Sequence, residues 1–397
     1  MFKTPLAITT LIVFLAYGVL MMFISYRSSR QQQIKTGKQF FLGNGVSPFV
    51  LMFSTLAALC STWVVMGCTT TTFTTGWQWI ALVVLYQQSF SLAAGYLGPR
   101  IWKLRQAYDY ASHGDLVAHY YDNSSVLRYL IAFSYFMLCV FHTLGQLSAM
   151  GLAVGTATGI NPKVIIVLIA AFVVIYSFVG GYRGTALIDT IQGMIFTFVI
   201  FGGFLVVLYK IGGPANLFSE VFAVDPKLVI YNGNMEGTRW PLVTALSFCF
   251  IGAVGGITTP SFWLRYYTAS KPQDIIDRMS IRTGILASIV VPLTSGLIGL
   301  SAHAFVARGA AVIDNPSTVF QSLMSQIGGN YWVLLLVLAC IAAGMSTVAS
   351  NMNMSALTVT YDIVHVAKKD ISEEKLKNVG RVVMMILVII GAILAMY

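Results

Sequence analysis

Ten stretches of this chain are each apolar over the roughly 20 residues that a helix needs to cross a bilayer. They run approximately over 5–26, 47–74, 78–98, 126–157, 163–182, 187–209, 240–263, 281–305, 331–361 and 380–397. In hydrocarbon every backbone N–H and C=O must be satisfied within the protein, so only helices and closed barrels span. The runs are continuous and lack the period-2 alternation of barrel strands. They predict an all-α polytopic membrane protein. Composition agrees: charged residues make up only 10% of the chain, against roughly 25% in a soluble domain. No Pro/Gly/Ser-rich linker divides the 397 residues, which read as a single transmembrane domain.

The formal net charge of +10 does not mark a nucleic-acid binder, because the basic residues lie in short loops between spans. Their distribution predicts orientation. With the N-terminus outside, the inward segments hold Arg27, Arg30, Lys35, Lys38, Arg100, Lys103, Arg105, Arg128, Arg183, Arg265, Lys271, Arg278, Arg282, Lys368, Lys369, Lys375, Lys377 and Arg381. The outward ones hold Lys3, Lys163, Lys210, Lys227, Arg239 and Arg308. Eighteen of the 24 basic residues thus face inward, as the positive-inside rule requires. Segments 210–239 and 306–330 become outside loops. The first apolar run is too long for a signal-peptide core and reads as a retained span. The five cysteines lie within spans, with no metal spacing or disulfide framework.

Two spans, five apart in order, carry breakers or polar residues at mid-depth. One reads PFVLMFSTLAALCSTWVVMGCTTTTFTTG, the other LSFCFIGAVGGITTPSFWLRYY with Gly252, Gly255, Gly256 and Pro260 as the expected break. Interrupted helices are tolerated in a membrane where the freed backbone lines a cavity. Their spacing predicts an inverted repeat with a solute site between the halves, though glycine also serves plain helix contact. The ninth span carries a second anomaly, AAGMSTVASNMN. Ser346, Ser350 and Asn353 share one helical face with Thr347 beside it. Hydroxyl and carbonyl oxygens suit a small hard cation, and the same side chains can instead bond their own backbone. Asp189 is the acid clearly inside a span; it reads either as an ion ligand or as a helix-end acid paired with Arg183. His142 is the histidine well inside one. No lysine or arginine is expected at mid-depth.

Several of these stretches together resemble the sodium:solute symporters, a family built on the leucine-transporter fold. FFLGNGVSPFVLMFSTLAALCSTWVVMG is similar to its first core helix and lead-in, without the usual arginine. GGYRGTALIDTIQG resembles its Gly-Gly…Asp-x-x-Gln signature, and AAGMSTVASNMN…YDIV its eighth-core-helix pattern. The resemblance implies an inverted five-helix repeat bundle: 5–26 as an extra leading helix, 47–209 as the first repeat, and 240–397 as a second repeat short of the last core helix. It implies a main sodium site formed by the carbonyls of Ala57, Cys60 and Ala343 with the hydroxyls of Ser346 and Thr347. A second, deeper sodium in some members implies Asp189 and Ser350 as ligands, with Ala349 here where those members have serine.

By position, the resemblance places the solute against Ser61, Thr62, Trp63, Gln87, Gln88, Gln146 and Phe250. The implied function is sodium-coupled symport of a small organic solute (a carboxylate, amino acid or sugar) by alternating access, with sodium as coupling ion and no cofactor. The expected setting is a bacterial inner (plasma) membrane, with the lipid bilayer rather than a nucleic acid as partner. A second reading is the membrane input of a signalling protein on the same fold. An enzyme is not expected, since no nucleophile, metal cluster or carboxylate pair converges.

Overall fold

A computed structural model describes residues 5–30, 34, 36–43, 45–230 and 241–397. Lys3, Lys35 and Arg239 of the charge distribution, and the end of the 210–239 segment, lie outside the described residues. Among those described the regular structure is helical, in the order α1 (Pro5–Arg30), α2 (Gly37–Leu42), α3 (Pro48–Leu59), α4 (Trp63–Thr75), α5 (Trp77–Tyr108), α6 (His113–Tyr120), α7 (Ser125–Thr158), α8 (Pro162–Ile211), α9 (Pro214–Val224), α10 (Leu242–Thr258), α11 (Pro260–Thr268), α12 (Pro272–Ala307), α13 (Val319–Ile327), α14 (Tyr331–Ala367) and α15 (Glu373–Ala395).

Seven of these helices are long and apolar enough to span, and two bent pairs pass the same test together. The pairs are α3 with α4, bent by 60°, and α10 with α11, bent by 49°. The fifty-residue α8 is itself two helices meeting at Gly181, whose φ of 56° and ψ of −163° are non-helical. A side chain there is excluded twice: by the positive φ and by Phe40 O, which a Cβ would approach to 2.7 Å. Counting α8 as two, the ten expected spans are all present.

α14 is the central helix. Of its apolar window, 83% is buried inside the protein, against 33% for α1 and α7. α14 packs on α8 and α7, while α3 also lies on α8 and α10 on α5. Asn351 and Asn353 are among the groups that hold α14. Asn351 donates to Thr143 Oγ1 of α7 at 3.2 Å, and Asn353 to Thr185 Oγ1 of α8 at 3.0 Å.

The segments between the spans gather in two groups, at opposite ends of the bundle. At one end Lys38 pairs with Asp109, the Gly37 amide donates to Glu373, and Tyr267 donates to Ser112 O. Here α6 folds across the end: Ser112 bonds Asp362, Arg128 pairs with Asp115, and His113 stacks on Trp263 at 3.7 Å. At the other end Arg308 pairs with Glu220 and Trp77 packs on Phe218.

The seventh span corrects one expectation. Gly252, Gly255 and Gly256 sit inside the regular helix α10 rather than at its break, which falls at Thr259 just before Pro260. A Cβ on Gly252 would come within 2.3 Å of Tyr86 O, and one on Gly256 within 2.3 Å of Phe90 O. Spaced by four, the two glycines let α10 lie directly on the backbone of α5, as small residues do between membrane helices.

Two outcomes follow. Gly256→Val is expected to destabilise the protein by about 1–3 kcal/mol through overpacking, while Gly145→Ala, with open space around its Cβ, leaves the unfolding midpoint in detergent unchanged. Burial lowers the His113 imidazole from its usual 6.5 to about 3. Above pH 6.5 folded and unfolded chains both hold it neutral. Below that the unfolded chain binds a proton that the folded one refuses, so stability falls as pH drops toward the folded value. His113→Phe is expected to flatten this acid-side loss in a series of thermal midpoints against pH.

Candidate functional site

Where α3 stops, the chain leaves helical geometry at Cys60, with φ −97° and ψ 87°. A broken helix frees the last carbonyls of one half and the first amides of the other. The α4 side is met by Gln146 of α7, whose Oε1 accepts from the Thr62 amide at 3.0 Å and the Thr62 hydroxyl at 2.7 Å. Ser61 adds a bond from the Trp63 amide to its own hydroxyl at 3.3 Å.

The second break is met by aromatic donors. Tyr266 donates to Gly256 O at 2.6 Å, Trp263 Nε1 to Ile257 O at 2.5 Å, and Tyr135 to Thr258 O at 2.8 Å. The three carbonyls that end α10 are thereby satisfied without continuing the helix. This gives Tyr266, Trp263 and Tyr135 a purpose that spacing alone did not reveal.

Both breaks open on one cavity of about 920 Å³. Its walls include Ser61, Thr62 and Trp63 at the first break and Thr259, Pro260, Ser261 and Phe262 at the second. Tyr86 and Gln87 come from α5, His142 and Gln146 from α7, and Thr347, Ser350 and Asn351 from α14. Among the described residues no Lys, Arg, Asp or Glu lines it. The cavity is mostly apolar and aromatic, with amides and hydroxyls at a few points, the usual make-up of a small-molecule site.

Five of the seven proposed solute contacts meet here: Ser61, Thr62, Trp63, Gln87 and Gln146. Gln88 does not. It lies about 100° round the helix from Gln87, where its Oε1 accepts from Ser288 at 2.8 Å. Phe250 does not either: it is 71% exposed on the outer face of α10, and Phe248, two residues earlier, lines the cavity instead. Pro260 lines the cavity, whereas the three glycines of the expected break do not.

Beside the cavity, α14 crosses the end of α3. The Ser346 hydroxyl, with one hydrogen to give, lies 3.1 Å from Ala57 O and 2.9 Å from Ala343 O, and Thr347 donates to Ala343 O at 3.0 Å. Ala57, Cys60, Ala343 and Ser346 are fully buried, and Thr347 nearly so. Ala57 falls among the last residues of α3, where carbonyls lack partners from their own helix. Cys60 closes that helix one turn further on. The crossing therefore gathers hydroxyls and backbone carbonyls, hard oxygen donors without net charge, next to the cavity that Thr347 also lines.

One turn away stands a group that the sequence reading misplaced. Arg265, assigned to an inward loop, is fully buried. Its Nη2 donates to Ser54 O at 2.7 Å, and lies 3.3 Å from Ser350 Oγ and 3.4 Å from Asp189 Oδ2; Nη1 donates to Ser261 O at 2.8 Å. Asp189 is thus neither a helix-end acid nor the partner of Arg183, which is exposed. It sits eight residues beyond the bend at Gly181 and is 2% exposed. The available signal was position: Arg265 follows Pro260 by five residues, and so lies on the second half of a broken span.

The sequence profile of the sodium:solute symporter family matches residues 40–397. The osmoregulated proline transporter OpuE of Bacillus subtilis is 26% identical, over 89% of this chain and 71% of its own. The sodium/proline symporter of Escherichia coli is 24% identical, over 99% and 77%. The sodium/pantothenate symporter of Haemophilus influenzae is 26% identical, over 85% and 68%. Among solved structures, a substrate-bound, outward-open Na+-coupled sialic acid symporter superposes with a TM-score of 0.84 at 20% identity, covering 99% of this chain and 81% of that one. That likeness concerns the fold. With a match across nine-tenths of its length and two broken spans meeting at one cavity, this integral, multi-pass chain belongs to the sodium:solute symporter family.

Proposed function

We propose that the protein couples the entry of sodium to the uptake of a small organic solute. The observation that carries this reading is the α3–α14 crossing, where neutral oxygens of Ala57, Ala343, Ser346 and Thr347 gather at the edge of the cavity between the two breaks. Sodium would be held by the carbonyls of Ala57, Cys60 and Ala343 and the hydroxyls of Ser346 and Thr347. A site without a carboxylate holds the ion weakly enough to release it on the other side. Bridging two helices from different halves of the chain, the ion favours the arrangement in which they cross. A solute that binds the same arrangement is thereby coupled to it.

The bundle formed by α3 with α4, α5, α10 with α11, and α12 would rock against the rest about this site, exposing the cavity to each face in turn. The end closed by α6 would be the cytoplasmic one, since the lysine- and arginine-rich segments collect there.

The cavity favours a solute with no net charge. Its described lining offers no ionised side chain to pair with a lone carboxylate or amine. Each break, however, presents a helix C-terminus beside an N-terminus, that is, a negative and a positive dipole end. A zwitterion finds both. Proline-transporting relatives support an amino acid as the solute class.

The test is uptake by the full chain in proteoliposomes, from a panel of amino acids, sugars and carboxylates, with sodium or choline outside. Zwitterionic amino acids are expected to be taken up only with sodium. Ser346→Ala and Thr347→Ala each remove one ligand, a loss of about 1–3 kcal/mol, and should raise the half-saturating sodium concentration roughly five-fold or more. Uptake indifferent to sodium, or to both substitutions, would sink the assignment. Gln146→Ala strips the acceptor from the start of α4 and should raise the half-saturating solute concentration, leaving the sodium requirement in place; solute affinity unchanged in this variant would contradict the cavity's role.

A further inference from the structure

Five aromatic side chains of four helices line the cavity: Trp63 of α4, Tyr86 and Phe90 of α5, Phe248 of α10 and Phe262 of α11. They form one belt. Phe90 meets Phe262 edge to face with ring centroids 4.5 Å apart, Tyr86 stands 6.3 Å from Phe90, and Phe248 stands 6.2 Å from Tyr86. Trp79, outside the lining, connects Phe248 at 5.9 Å with Trp63 at 5.6 Å. These spacings are those of favourable ring contacts. The belt runs from the first break, at Trp63, to the second, at Phe262. The glycines of α10 set its closeness: Gly252 lies on the Tyr86 carbonyl, and a Cβ on Gly255 would come within 2.9 Å of the Phe90 ring.

One amide is set in this belt. Gln87, next to Tyr86 on α5, lines the same cavity and is 2% exposed. Its Oε1 is buried and has no hydrogen-bond partner among the described residues. The neighbouring glutamines are engaged, Gln88 by Ser288 and Gln146 by Thr62. A buried acceptor without a donor is costly, and such a group calls for a partner from elsewhere.

We infer that the solute carries an aromatic ring with one N–H or O–H donor, as the side chains of tryptophan and tyrosine do, and that Gln87 selects for that donor. The inference rests on the amino-acid reading of the cavity above. The charged groups of such a zwitterion go to the helix ends at the breaks, and its side chain goes to the belt between them. The cavity of about 920 Å³ is at the upper end of ordinary small-molecule sites, so a bicyclic ring has room. Proline, with a small saturated ring and no side-chain donor, covers part of the belt and leaves Gln87 unanswered. A site with a buried hydrogen-bonding group rejects the analogue that lacks the matching group, because its own is then left unpaired.

The experiment reads binding rather than uptake. The thermal midpoint of the purified full chain is titrated with tryptophan, tyrosine, phenylalanine, leucine, proline and serine, in sodium chloride and again in choline chloride. A ligand that binds the folded state raises the midpoint according to its dissociation constant. The tighter of tryptophan and tyrosine is expected to bind roughly ten-fold or more tightly than phenylalanine, and phenylalanine more tightly than proline or serine. Gln87→Met keeps the length of the side chain and removes the amide; it should abolish the preference for the ring donor while phenylalanine still binds. Phe248→Leu removes one ring of the belt and should weaken tryptophan roughly three-fold or more. Phe250→Ala, on the outer face of α10, should leave tryptophan binding unchanged.

Proline or serine binding as tightly as tryptophan and tyrosine overturns the inference. So does phenylalanine binding as tightly as both, or a donor preference that survives Gln87→Met. The sodium reading stands or falls separately. The same ring preference in choline as in sodium upholds the inference without coupling, whereas sodium-dependent binding of proline alone upholds coupling and overturns the inference. If a variant fails to fold, the order of affinities in the wild type decides the solute class by itself.

Discussion

Backbone polarity in an apolar medium is the constraint on which this architecture depends. A helix crossing hydrocarbon satisfies its own amides and carbonyls, and interrupting one strands several of them. Here two spans are interrupted, and the side chains beside the breaks answer that problem. Gln146 covers the first amide of α4, and Tyr266, Trp263 and Tyr135 cover the last three carbonyls of α10. Ser346 uses the Ala57 carbonyl. The cavity is the space that these substitutions leave, so binding chemistry and structural repair draw on the same atoms.

This explains what could be read in advance and what could not. The number of spans, the two broken ones and the polar face of α14 all register in one dimension, as run length, breakers and spacing. The expected fold holds, and within it the Ser346 hydroxyl of α14 lies against the Ala57 carbonyl of α3. Rotational phase does not register. In a soluble helix the polar face announces itself, but here lipid and protein interior are equally apolar. Gln87 and Gln88, or Phe248 and Phe250, are thus equivalent in sequence, and only packing shows which of each pair meets the cavity.

Arg265 was misplaced for the opposite reason. A charge near a span end normally reaches water, so the residue was counted among the loops. A fully buried guanidinium is an exception that a distant carboxylate on α8 makes tolerable, 76 residues away in the chain. The glycines of α10 were misread because a breaker and a contact residue are the same letter. What distinguishes them is the backbone of α5 lying against Gly252 and Gly256, a tertiary fact.

The contact between α6 and the second break carries its own proton count. A tyrosine hydroxyl has one hydrogen to give, and Tyr135 gives it to Thr258 O. Its bond to His113 Nδ1 must therefore run the other way, with the imidazole as donor. The ring is thereby held in the tautomer with hydrogen on Nδ1, its face against Trp263, whose indole N–H in turn serves Ile257 O. The end of the bundle that α6 crosses is joined to the interrupted span by a chain of single protons, each with one direction available to it.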